Sequence, residues 1–363
     1  MANIEINKYA NIISWTYKNF FQAYLKTCNE YKSLKALNLL YKPYINTEIY
    51  MGVICLIWIQ ELRAKISEFK QLSLWNRAYG VETYLSALRI KINEQKLKNF
   101  DDNNELIQKV YENLQNSYVV QQYNGTDKLT GRMYVKNSKF SLQTLSKTYR
   151  EIIVAEKDCI LIEFDYNYFE YFLLSQICNY KLQGDPHIHI SKLIFGDELH
   201  RQQGKTINYA VLYGQSIEKT ILELNLGEQE EKLTILFNEI IKPVEPLKLR
   251  LIEEYKEKGY FYNYFGRQIF PEKEHACLSN YISSTATDLF IIKLEKIIAL
   301  LQSYPTINKI VLQNHDSVLL NLDIQTVEET TITEDIKTIL ESPEDGIYGE
   351  VDFKYGINWK DLD

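Results

Sequence analysis

The spacing of apolar and polar residues changes character part-way along the chain. Through roughly the first 125 residues the rhythm is helical. Tyr50 to Leu72 repeats apolar residues at mixed three and four spacing, with charges on the opposite face, as an amphipathic helix requires. Val81 to Leu114 continues the pattern with more polar positions, and Pro43 marks a break ahead of both. Asn124-Gly125-Thr126-Asp127 and Thr130-Gly131-Arg132 read as a turn region. Cys159 to Phe164 is then a short β-prone run that ends at Asp165. Ile188 to Phe195 and Arg201 to Tyr213 predict helices. Leu222 to Lys258 predicts a charge-laced helical stretch broken at Pro243 and Pro246. Gly259 to Phe270 is aromatic-rich and predicts a hairpin around Phe265-Gly266-Arg267. Ala286 to Leu301 predicts an amphipathic helix. Lys309 to Leu322 predicts two strands meeting at Asn314-His315-Asp316-Ser317. Helices mixed with antiparallel strands imply an α+β fold.

Composition narrows the class. The 363 residues are 45% hydrophobic and 25% charged, which suits a globular protein with a sizeable core. The formal net charge of −7 excludes a uniformly basic nucleic-acid binder but leaves room for a local basic channel. Five scattered cysteines (Cys28, Cys55, Cys159, Cys178 and Cys277) include no CxxC spacing, so neither a zinc site nor a disulfide framework is indicated. The most apolar run, Tyr50 to Ile59, is shorter than a membrane span, and no targeting signal opens the chain. A soluble, cytoplasmic protein with no membrane partner is expected, in a bacterial cell or a phage-infected host.

Candidate chemistry centres on Asp165 and Asp316. Each stands at the end of an apolar run, where a lone Asp is usually a turn former. Two carboxylates brought to neighbouring strand ends repel unless a cation lies between them. Enzymes that displace at phosphorus commonly use two divalent ions roughly 3.5–4 Å apart, and magnesium suits carboxylate, water and phosphate oxygens. In Arg201 to Gly214, residues Arg201, Lys205, Tyr209 and Tyr213 recur every four positions along one slowly drifting helix face. Two cations followed by two aromatics suit a triphosphate at one end and a base or sugar at the other. An amphipathic helix with solvated charges produces the same spacing.

Set in order, these segments resemble the DNA polymerase I family, family A of the DNA polymerases. Asp165-Tyr166-Asn167-Tyr168-Phe169-Glu170 is similar to its motif A, D-Y-S-Q-I-E. Arg201 to Gly214 matches every fixed position of motif B, R-x-x-x-K-x-x-N-[FY]-x-x-x-Y-G. Gln313-Asn314-His315-Asp316 resembles motif C, Q-V-H-D-E. Thr130-Gly131-Arg132 with Leu142-Gln143, Gly259-Tyr260 with Gly266-Arg267, and Thr285-Ala286-Thr287-Asp288 resemble T-G-R…L-Q, G-Y…G-R and T-A-A-D of that family. Glu48 with Gly52-Val53 weakly resembles the E-x-x-G-V that opens its thumb.

The resemblance implies a right-hand polymerase fold with an antiparallel palm sheet and helical fingers and thumb. It places an N-terminal helical remnant at 1–45, a thumb-like region at 46–125, the first part of the palm at 126–175, shortened fingers at 176–260 and the second part of the palm at 261–363. It further implies template-directed addition of dNTPs to primer–template DNA, with two Mg²⁺ ions, or Mn²⁺ in their place. Asp165 and Asp316 would bind both ions, with the backbone carbonyl of Tyr166 completing one shell. Arg201, Lys205 and His187 would contact the triphosphate, Lys205 acting also on the leaving pyrophosphate. Tyr209 would stack by the incoming nucleotide. Glu170 would exclude a ribose 2′-hydroxyl and contact Tyr213. Arg132, Gln143, Arg267, Gln313 and His315 would face the DNA.

Several positions depart from the family pattern. Ser317 replaces the Glu that follows the motif C Asp, His275 stands where Arg is usual, Ser283 where Gln is usual, and Phe172 replaces a motif A Arg. No D-x-E strand precedes the T-G-R segment, so synthesis without in-chain proofreading or 5′-nuclease is expected. His315-Asp316-Ser317 also resembles the H-D-S of single-subunit RNA polymerases, against which Glu170 and Tyr209 stand. The retained aspartates, Arg201 and Lys205 argue against a non-catalytic DNA-binding relative. A processivity or replisome partner is left open by the sequence.

Overall fold

The computed structural model describes residues 71, 73–100, 104–124, 130–135, 140–182, 184–212, 217–306 and 308–363, all within one compact unit, Glu68–Asp363. The expectations for residues 1–70, for Gly125 to Asp127 and for Tyr213 lie outside the described residues.

A helix over 73–86 (α1) opens the described chain. Strand β1 (Arg89–Lys91) pairs antiparallel with β2 (Tyr118–Val120), and helices α2 (Glu94–Leu97) and α3 (Glu105–Asn113) stand between them. The single helical stretch expected from Val81 to Leu114 is therefore divided. The side chains of Asn93 and Asn104 accept backbone N–H groups of Lys96 and of Leu106 and Ile107, so each Asn starts a new helix as its N-cap. Strands β3 (Tyr123–Asn124) and β4 (Tyr134–Val135) form a two-stranded ladder. Strand β5 (Cys159–Tyr166) follows and carries Asp165 inside its last turn of pairing.

Next come α4 (Phe169–Ile177), α5 (Pro186–Phe195), α6 (Arg201–Leu212), α7 (Ile217–Leu224) and α8 (Glu230–Lys258). The sequence predicted a break at Pro243 and Pro246, but α8 runs through both. Each interior proline costs about 3 kcal/mol of helix propensity. Leu233, Leu236, Val244 and Leu251 bury along the helix, and each buried side chain of this kind returns about 1.5–3 kcal/mol. Gly259, at φ 77°, ends the helix by donating its N–H to the Tyr255 carbonyl.

Strands β6 (Phe261–Tyr262) and β7 (Gln268–Ile269) form the expected hairpin, with Phe265 and Gly266 at its turn. Helix α9 (Cys277–Gln302) is longer than predicted. Tyr281, Ile282, Ser284, Leu289, Phe290, Ile291 and Leu294 are all buried, so the helix packs on more than one side rather than showing one wet face. Strands β8 (Lys309–Asn314) and β9 (Ser317–Asp323), helices α10 (Ile324–Glu329) and α11 (Ile332–Glu341), and strand β10 (Val351–Gly356) complete the fold.

Strands β10, β5, β9 and β8, in that order, form one antiparallel sheet. Strand alternation divides its faces. Ile162, Phe164 and Tyr166 with Val318, Leu320 and Leu322 enter the larger core beside α4, α9 and α11. Leu161 and Leu319 point the other way, into a second core with Ile90, Leu97, Ile107, Leu142 and Trp359. Along that second face the apolar residues give way at the end of β5 to Glu163 and Asp165, with Ser317 and Asp352 beside Asp165 on the flanking strands. The α+β class expected from the sequence is the one found. Among the described residues, no helix is long and apolar enough to cross a membrane.

Candidate active site

Register brings the two candidate carboxylates together. Asp165 on β5 stands opposite Ser317 on β9, and the N–H of Tyr166 donates to the carbonyl of Asp316 at 3.2 Å. Asp316 thus occupies the tip of the β8–β9 hairpin beside the last residues of β5. The tight reversal puts His315 at φ 56°. Asp165 meets solvent along its side chain, yet the surrounding protein desolvates its carboxyl group. That desolvation, followed by the charges of Asp316 and Glu163, raises Asp165 from 3.8 to about 7 against the opposing pull of Lys205. Burial also raises Asp316; Glu170 adds to the effect, while its own backbone N–H, Lys205 and Arg132 oppose it. Asp352 on β10 lies directly across from Asp165 and adds a third negative charge.

Among the described residues, no other side chain hydrogen-bonds either Asp165 or Asp316. Two desolvated, mutually repelling carboxyl groups at one strand end fit hard divalent cations, whose charge would relieve the repulsion. No three His, Cys, Asp or Glu side chains among the described residues form a complete metal-binding set. Ions held here would therefore take the rest of their shells from backbone, water or substrate.

Helix α6 supplies the basic residues. Lys205 is exposed, with Nζ 5.9 Å from the centre of the Tyr209 ring. Arg201 donates from Nε to Asp185 at 2.8 Å, and the same Asp185 side chain caps α5 by accepting the N–H groups of His187 and Ile188. Asp185 before Pro186 is an N-cap signal legible in the sequence, although its pairing with Arg201 is not. His187 is 3% exposed, and its Nδ1 lies 3.2 Å from the Asn208 amide nitrogen. Its ring stands 6.0 Å from that of Tyr209. Burial lowers His187 to about 4 and keeps it neutral. Gly204 makes this neighbourhood possible, because a Cβ there would lie 2.3 Å from the His187 carbonyl oxygen.

A cleft of about 280 Å³ connects these groups, lined by Arg132, Glu170, Lys205, Tyr209, Ser283 and Asp316 among others. Asp165 sits on the adjoining strand, outside this lining. Glu170 is 7% exposed, and its Oε1 accepts from Arg132 Nη2 at 2.8 Å and from Ser283 Oγ at 2.7 Å. Burial, then the Glu170 and Asp316 charges, push the Tyr209 hydroxyl up to about 12. Gln143 donates to the carbonyls of Met133 and Gln313, while Gln313 donates to the His315 carbonyl, so both glutamines brace the hairpin that carries Asp316.

Arg267 has a different setting from the DNA contact that the sequence suggested. It is 3% exposed, and its guanidinium holds the fully buried Asp288 through Nη2 at 2.5 Å and Nε at 3.0 Å. Asn263 donates to the same carboxylate at 2.8 Å. Gly131 lies so close that a Cβ there would stand 2.8 Å from Arg267 Cζ. Three segments distant in sequence thus lock together behind Arg132. The sequence reading missed Asp352 and Asp185, gave Asn208 no role beyond its place in motif B, and noted Ser283 only as standing where the family usually has Gln.

Comparison with known proteins gives consistent results. A family model described as DNA polymerase family A matches residues 82–361. The chain is 26% identical over 271 residues to a thermostable DNA polymerase I of Thermus filiformis, covering 65% of this chain and 32% of that protein. It is 25% identical over 252 residues to DNA polymerase I of Synechocystis, covering 55% of this chain and 25% of that one. The chain thus spans about a third or less of the length of these relatives. Among solved structures, it resembles the POL domain of Pol1 from M. smegmatis in complex with DNA primer-template and dNTP, with a TM-score of 0.60 and 16% identity. That match covers 70% of this chain and 51% of the other.

Proposed function

Because the chain belongs to DNA polymerase family A, we propose that it extends a primer 3′ end with deoxyribonucleotides on a DNA template, at the Asp165–Asp316 site. The observation that carries the reading is the meeting of these two carboxylates at adjacent strand ends, beside Lys205. The nucleotide and primer–template bound to the M. smegmatis relative support the same partners for this chain.

In this reading Asp165, Asp316 and the Tyr166 carbonyl would hold two magnesium ions. When bound, the ions make the primer 3′-hydroxyl easier to deprotonate and offset phosphate charge. The 3′-oxygen forms a bond to the α-phosphorus as the bond to pyrophosphate breaks, and the hydroxyl proton leaves to solvent. Lys205 stands over the leaving pyrophosphate and balances its charge. Arg201, whose side chain is 48% exposed, exchanges its pair with the half-buried Asp185 for a phosphate oxygen, and Asp185 keeps the backbone N–H groups that it caps. His187, neutral and hydrogen-bonded, offers a directional contact rather than a charge. Tyr209 provides a ring for the incoming sugar and base to stack on. Glu170, held at the cleft wall, fills the space that a 2′-hydroxyl would need. Arg132, Gln313 and His315 face the primer–template and read base-pair shape rather than sequence. Gln143 and Arg267 act from behind, by positioning the Asp316 hairpin and the Gly131–Arg132 turn.

Primer extension tests the proposal directly. With a matched template and Mg²⁺, dNTPs support extension, chelation abolishes it, and rNTPs are used far less well. Absence of extension, or equal use of both sugars, contradicts the proposal.

A further inference from the structure

Two of the groups that hold the proposed sugar-selecting carboxylate differ in character. Glu170 is 7% exposed, and a carboxylate so buried needs hydrogen-bond partners to stay in one place. Arg132 and Ser283 converge on the same oxygen, Oε1. Arg132 is a long side chain, about one-third exposed, that also lines a small recess with Gln313 and His315. Its guanidinium therefore faces surfaces where a nucleic-acid ligand would compete for it. Ser283 differs on each count. It is 6% exposed and projects from the second turn of helix α9, and its side chain is short. The neighbouring Thr287 hydroxyl donates to the Ser283 carbonyl, which ties that turn of the helix together.

We propose that Ser283 is a specificity-determining residue: its hydroxyl fixes the Glu170 carboxylate at the cleft wall and so sets discrimination between deoxyribose and ribose. This rests on the reading of Glu170 as the group that meets the sugar 2′ position. When primer–template draws Arg132 away, the Ser283 hydrogen bond remains. Its strength then contributes to how far Glu170 can swing to admit a 2′-hydroxyl. Ser283 touches neither substrate nor metal in this account and acts only through Glu170.

The test measures kcat/KM for a matched dNTP and the corresponding rNTP in the wild-type protein and in the Ser283→Ala, Ser283→Thr and Glu170→Ala variants. Ser283→Ala is expected to raise the rNTP-to-dNTP ratio about tenfold, the low end for a hydrogen bond to a charged group. Ser283→Thr keeps the hydroxyl and is expected to return the ratio to near the wild-type value. An unchanged ratio in Ser283→Ala, or a parallel fall in both efficiencies, overturns the inference if Glu170→Ala does shift the ratio. If Glu170→Ala leaves the ratio unchanged, the reading of Glu170 itself fails, and this inference fails with it.

Discussion

Gly204 of α6 rests against the backbone carbonyl of His187 in α5, at a point where a Cβ would come within 2.3 Å of the oxygen. The two helices meet backbone to backbone there, and the contact fixes where Lys205 and Tyr209 emerge. Helix propensity alone favours Ala over Gly by about 1 kcal/mol. Overpacking against an immovable carbonyl opposes it by about 1–3 kcal/mol. The Gly204→Ala variant should therefore be less stable than the wild type in urea unfolding, and its KM for dNTPs should rise. A stability equal to or above that of wild type would show that α6 stands off α5.

The buried Arg267–Asp288 pair leads to a second expectation. Removing one partner strands the other charge inside the protein, at a cost of about 3–5 kcal/mol. Asp288→Ala should unfold at markedly lower denaturant concentration, whereas exposed Lys256→Ala, which loses only a surface pair with Glu274, should change little. If Arg267 is instead a DNA-contacting residue, Arg267→Ala will weaken primer–template binding while leaving stability near that of wild type.

How far the sequence shows this site depends on the range of each contact. Asp165 and Asp316 are legible because each ends a β-prone run, and local pattern alone puts them at strand ends. Arg201, Lys205 and Tyr209 are legible for the same reason, as a four-residue spacing on one helix. The buried setting of Arg267 is not legible, because a sequence displays a charge without its partner, and Asp288 is a tertiary partner on α9. Asp352 has no local signal, and its place beside Asp165 arises only when β10 pairs with β5. The run of α8 through Pro243 and Pro246 is likewise a tertiary outcome, in which burial of Leu233, Val244 and Leu251 outweighs propensity.

His187 gives a prediction in pH. Burial holds its folded pKa at about 4, below the ordinary 6.5. Between these values the unfolded chain binds the proton and the folded chain does not, so stability falls as pH drops from about 6.5 to 4. The His187→Gln variant should lose about 2 kcal/mol less than the wild-type protein between pH 7 and pH 5. Urea unfolding at pH 7 and pH 5 measures the difference, and identical pH slopes for the two proteins would contradict a buried, neutral His187.

The pairing of Asp165 with Asp316 is tested most directly by single-nucleotide primer extension in Mg²⁺ with Asp165→Asn and Asp316→Asn, alongside measurement of primer–template affinity. Both variants should keep DNA binding and lose extension by about a thousandfold or more, the scale expected when several kcal/mol of charge stabilisation are removed. Extension near the wild-type rate in either variant would contradict a shared site built from these two carboxylates.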